Sequence, residues 1–125
     1  MAELLLWLYL INSILLINHE IDSAYWKEWE LFKLPGGITG FLLLHFPLLF
    51  IILYGLVLVV KQAFAGYIFS FILCFGGIFA FAIHTYFLKQ GGEEFNQPVS
   101  KMILHLTLGI SIVQMVVTLI TMNAA

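Results

Sequence analysis

The stretch INHEIDSAYWKEWELFKLPGG, residues 17–37, decides how the chain is read. It follows the apolar run Leu4 to Asn18 and introduces His19, Glu20 and Asp22 before any Gly or Pro. Helical continuation is therefore permitted through HEIDSAYWKEWELF until LPGG stops it at Pro35. At 1.5 Å per residue, Leu4 to Ala24 covers about 30 Å, the hydrocarbon thickness of a bilayer. On that measure His19, Glu20 and Asp22 lie inside the far boundary. Tyr25, Trp26 and Trp29 then mark the interface, with Lys27, Glu28 and Glu30 emerging into water. The alternative ends the membrane section near Asn18 and leaves residues 19–33 as an interfacial amphipathic helix. The continuous helix is the expectation carried forward.

Composition sets the class. Of 125 residues, 62% are hydrophobic and 10% charged, with twelve Phe, far from a soluble protein's usage. Five basic residues and a formal charge of −2 give no positive footprint for nucleic acid. The single cysteine, Cys74, excludes an intrachain disulfide or a CxxC metal knuckle. The first apolar segment lacks a basic leader and a small-residue cleavage site, so it is expected to be retained as a helix.

Three further apolar segments run from about Ile38 to Val60, Phe64 to Leu88 and Val99 to Met122, each near the length of a crossing. Short connections force neighbours to alternate in direction. The expected fold is all-α: an antiparallel four-helix transmembrane bundle with a long first helix, one integral membrane domain over residues 1–125.

Tracking direction brings the histidines into register. With the amino-terminal side designated A and the opposite side B, His19 and His84 lie near the B ends of the first and third crossings. His45 and His105 lie just inside the B starts of the second and fourth. All four histidines of the chain thus share a layer roughly 6 to 10 Å below the B surface. Polar groups in lipid are costly, so a bundle turns them towards one another or towards water. Lys27, Lys33, Lys89 and Lys101 fall on side B and only Lys61 on side A. The positive-inside rule then places the histidine-rich end in the cytoplasm and both termini outside.

Helical spacing sorts the faces. His19 shares a face with Asn12, Asp22, Ser23 and Trp26, while Glu20 is rotated by about 100° towards a neighbouring helix. Ser70, Cys74, Gly77 and His84 form one stripe, and Gly76 and Gly77 admit a neighbouring helix or enlarge a cavity. Pro47, two residues beyond His45 in LLLHFP, removes a backbone bond and predicts a kink. Thr107, Ser111, Gln114, Thr118 and Thr121 repeat at four and three residues, as interhelical hydrogen-bonding glue does.

Three chemistries fit the histidine layer. In the first, imidazoles among His19, His45, His84 and His105, with Asp22 or Glu20, hold a divalent metal such as zinc or iron. In the second, Glu20, Asp22, His45 and His105 act as general acids and bases without metal. In the third, the same groups form a packing network in a structural or regulatory protein. HEIDS lacks a second His four residues after the first, so it is not the HExxH zinc-protease pattern. Asp22, one turn from His19, is suited to orienting that imidazole as well as to ligation. Glu28, Glu30, Glu93 and Glu94 read as interfacial.

The leading expectation is a membrane-embedded enzyme, a hydrolase or isomerase acting on a lipid-soluble molecule through a His/carboxylate pocket, with or without a metal. Ion or small-molecule transport by a homo-oligomer is the remaining alternative. Membrane lipid is the expected surrounding partner.

The block HEIDSAYWKEWELFKLPGG, with LLLHFP, FAIHTYF and ILHLTL, resembles a small family of uncharacterised prokaryotic multi-helix membrane proteins. That resemblance covers most of the chain and implies a membrane fold without implying an activity. A looser similarity, to membrane proteins with a histidine followed by paired acids on an early helix, is interrupted here by Ile21 between Glu20 and Asp22.

Overall fold

A computed structural model describes residues Met1–Ala125. Four helices are long and apolar enough to cross a membrane: α1 (Ala2–Tyr25), α3 (Gly37–Val60), α4 (Phe64–Lys89) and α5 (Pro98–Ala124). A single-turn helix, α2 (Glu28–Leu31), lies between the first two. The chain is an all-α integral membrane bundle with a long first helix of 24 residues, about 36 Å at the standard rise.

The expected continuation of the first helix to Pro35 does not occur. Helix α1 carries His19, Glu20 and Asp22, then ends at Tyr25. Lys27 reverses the chain in the left-handed region, at φ 53°, and Lys33, at φ 56°, closes the turn beyond α2 before Pro35 and Gly36. No glycine marks the break at Lys27, and a left-handed lysine costs roughly 1–2 kcal/mol. The cost is offset where the chain folds back: Trp26 and Leu31 pack against the buried core and Glu28 meets His84.

Around the bundle, α1 packs on α3 and α5, and α4 packs on α3 and α5. Helices α1 and α4 also meet across the middle, whereas the backbones of α3 and α5 stay apart on the other diagonal. The outer faces are apolar, with Phe46, Phe50, Phe75 and Phe79 more than half exposed towards lipid.

Two kinds of close approach hold the bundle. Between α1, α4 and α5 a polar network runs through the centre. The Asn12 amide donates to Ser111 Oγ at 3.1 Å and to Gln114 Oε1 at 2.9 Å. Gln114 donates to Ser70 Oγ at 2.9 Å, and Ser70 and Thr118 share a 2.7 Å hydroxyl bond. The spacing of Thr107, Ser111, Gln114 and Thr118 on α5 therefore forms a fully buried seam. Gly77 makes room for it, since a Cβ there would lie 2.8 Å from Thr107 Cγ2.

Between α1 and α3 the Tyr9 hydroxyl donates to the Ile52 carbonyl at 2.7 Å. A Cβ on Gly55 would strike the Tyr9 ring at 2.9 Å, which explains a glycine in the middle of an apolar helix. Pro47 sits inside α3, which continues as helix on both sides of it.

Candidate metal centre and proton pair

The B end of the bundle brings together five titratable side chains from four elements. His19, on the inner face of α1, and His84, on the inner face of α4, are each 2% exposed. Their rings meet edge to face with centroids 4.6 Å apart. Glu28 enters from the fold-back turn, with Oε2 at 3.1 Å from His84 Nε2. One donor atom from each of His19, His84 and Glu28 falls within a sphere of mutual distances no greater than 4.8 Å. Two imidazoles and one carboxylate are a donor set used for both zinc and iron.

The electrostatics of this cluster are incomplete as they stand. Glu28 Oε2 and His84 Nδ1 are buried without a hydrogen-bond partner; the 3.1 Å approach of Glu28 Oε2 to the other ring nitrogen, His84 Nε2, is off the hydrogen-bonding direction. Unpartnered polar atoms at such depth are costly, and a cation would supply what they lack. Burial pushes the Glu28 carboxyl up, but the neighbouring His84, the Ser23 hydroxyl and the His19 imidazole together pull it below the usual carboxylate range. The group is thus an anion at neutral pH, as ligation requires. Ser23, one turn beyond His19, donates to the His19 carbonyl at 2.9 Å and stands 3.5 Å from His19 Nε2.

Glu20 points away from this cluster towards α3, as its rotation on α1 predicts. There its Oε2 lies 2.5 Å from His45 Nε2. The other ring nitrogen, Nδ1, contacts the Phe41 carbonyl at 2.6 Å. A carbonyl only accepts, so Nδ1 carries hydrogen and donates to it. The second contact then holds one proton between Nε2 and the carboxyl oxygen, whichever of them owns it.

Both groups open onto one space. A cavity of about 220 Å³ is lined by His19, His84, Glu28, Glu20 and His45, with Leu16, Leu48 and Ala80 among its apolar walls. Leu44 and Phe79 also line it while being 57% and 63% exposed, so the cavity reaches the lipid-facing surface between α3 and α4. Gly76, on the same wall, leaves the cavity unfilled.

The remaining expected site residues lie elsewhere. Asp22 is turned from the cluster and accepts a 3.0 Å bond from Trp26 Nε1, so it fixes the interfacial indole instead of orienting His19. His105 is exposed on α5, with Nδ1 donating to the Lys101 carbonyl at 2.7 Å and its ring edge-on to Phe81. The α5 face that turns inward carries the Thr107–Thr118 seam, which leaves His105 on the outside. Conversely Glu28, read from the sequence as interfacial, is drawn inward, its side chain only 15% exposed. Its one sequence signal is apolar company: Leu31 and Phe32, three and four residues on, share its face.

The fold and this site define a class: an integral membrane protein of four long apolar helices with a buried His/Glu cluster able to coordinate a metal ion. Within that class the chain belongs to the family of unknown function DUF6713, whose model matches residues 5–121 and so spans all four long helices. No curated protein and no solved structure matches the chain.

Proposed function

We propose that this protein is a membrane-embedded, metal-assisted enzyme, a hydrolase or isomerase acting on a lipid-soluble molecule. The observation that carries the reading is the shared cavity: a two-imidazole, one-carboxylate donor set and a proton-holding Glu20–His45 pair face the same space. A divalent ion such as zinc or iron, held by His19, His84 and Glu28, supplies Lewis acidity there. Glu20 and His45 give or take the proton, with Phe41 fixing the imidazole so that only Nε2 takes part. The opening beside Leu44 and Phe79 supports lateral access by a substrate dissolved in the bilayer.

The site is oriented towards the cytoplasm, with both termini outside, on the support of Lys27, Lys33, Lys89 and Lys101 at its end of the bundle against Lys61 at the other. Edge-to-face packing of His19 on His84 supports the second reading, a purely structural cluster.

Two measurements on freshly extracted protein separate these. Element analysis is expected to find one zinc or iron per chain. Incubation with a membrane lipid extract, followed by mass spectrometry, is expected to show species consumed by the wild type and spared by Glu20→Gln and His84→Ala. A protein without metal and without consumption of any species leaves the structural reading standing.

A further inference from the structure

The polar loop GGEEFNQP between α4 and α5 buries an aromatic ring. Phe95 is 1% exposed, in the left-handed region at φ 65°, a conformation that disfavours a bulky side chain unless its surroundings hold it there. What holds it is the imidazole pair: its ring centroid lies 4.0 Å from that of His84 and 5.5 Å from that of His19. On the aqueous side, Glu93 and Glu94, which directly precede Phe95, join Glu30, Tyr25, Trp26 and Lys27 around an open depression of about 460 Å³. Phe95 thus packs on two buried imidazoles, one with an unpartnered Nδ1, while the two residues before it rim an open, carboxylate-lined depression.

We infer that Phe95 is the plug on the aqueous side of the His19–His84 pair, and that a divalent cation reaches these two imidazoles from that side when this loop carries the ring aside. The inference rests on the metal reading of the site. A hydrated cation has no route through the lipid-facing opening, because hydrocarbon excludes it. The loop has the means to swing: Gly91, at φ 85°, begins it, and Pro98 fixes its far end at the first turn of α5. With Phe95 seated, its ring covers the two imidazoles on the aqueous side while the chamber stays open towards lipid beside Leu44 and Phe79.

The test compares wild type with Phe95→Ala and Phe95→Leu, each checked for helix content and monodispersity in detergent. After loading with Zn²⁺, removal of the ion by a chelator is expected to be about tenfold or more faster in Phe95→Ala at unchanged stoichiometry, and near wild type in Phe95→Leu, which refills the space. A second arm needs no metal. In metal-free protein, carbethoxylation of His19 and His84, read by peptide mass spectrometry, is expected to lag behind that of exposed His105 in wild type and to approach it in Phe95→Ala. Equal rates in wild type and Phe95→Ala, in both arms, overturn the plug even if the ion binds. Absence of any bound ion, with His19 and His84 still unmasked by Phe95→Ala, overturns the metal reading and leaves the plug in place.

Discussion

Glu28 and His84 come from a fold-back turn and from the far end of the third crossing, yet Glu28 Oε2 stands 3.1 Å from His84 Nε2 without the alignment of a hydrogen bond. Such a pair is spaced for something to sit beside both atoms. Glu28→Gln, His84→Ala and His19→Ala are each expected to weaken divalent-ion binding by more than about 100-fold, the upper range for loss of an outer-shell partner. Glu30→Gln, exposed on the same turn, is expected to bind as wild type. Titration calorimetry on detergent-solubilised protein checks this, and equal affinity in Glu28→Gln and Glu30→Gln would remove Glu28 from the ligand set.

The Glu20–His45 pair separates chemistry from stability. In Glu20→Gln the amide donates to Nε2 in place of the shared proton, so the fold is kept while turnover falls by about 10²–10⁴, the usual range for a general acid or base. His45→Ala leaves Glu20, its side chain mostly buried, without its partner and is expected to cost about 1–3 kcal/mol in addition. Melting temperatures beside substrate consumption give the comparison. A Glu20→Gln protein that melts early but turns over normally contradicts the assignment.

The central seam predicts opposite outcomes for two buried polar residues on one helix face. Gln114 links Asn12 of α1 to Ser70 of α4, and Gln114→Leu is expected to destabilise the bundle by about 1–2 kcal/mol, two interhelical bonds at membrane values. Thr107 Oγ1 is buried with no partner, so Thr107→Val, which keeps the shape, is expected to be neutral or stabilising. Reversible unfolding in mixed micelles measures both; similar losses in the two variants would contradict the bond assignments.

Gly55→Ala is expected to cost about 1–3 kcal/mol, because the added methyl overlaps the Tyr9 ring and Phe69 Cβ in a packed interface. Gly109→Ala, with open space around it on α5, is the control and is expected to be stable or slightly stabilised through helix propensity. Unfolding of the two variants side by side decides the point.

Sidedness is open to direct labelling. Single cysteines replacing Glu94 and Gln62 in a Cys74→Ser background report opposite ends of the bundle. An impermeant thiol reagent outside intact cells is expected to label Gln62→Cys and to spare Glu94→Cys; the reverse pattern inverts the orientation.

Much of the architecture was legible because hydrophobic length is a strong signal. Four apolar segments joined by short connections leave few options, and the four-and-three spacing on α5 marked its inward seam before any partner was known. The pairing of Glu20 with a neighbouring helix followed from one rotation of about 100°. Glu28 was hidden because the break at Lys27 uses a lysine in a conformation that sequence associates with glycine. Phe95 was hidden in a polar loop for the same reason, its left-handed backbone being stabilised only by rings that arrive from α1 and α4. His105 misled because depth along a helix axis is readable from sequence while azimuth depends on which face the neighbours claim.

Helices α3 and α5 stand diagonally across the bundle, and they are fastened to it differently. Three helices are stitched by the Asn12–Gln114–Ser70 seam, whereas α3 is tied to them by only two side-chain hydrogen bonds, Tyr9 to Ile52 and Glu20 to His45. Helix α3 is thus the least cross-stitched wall of the bundle, a panel that rests on α1 and α4 mainly through apolar packing.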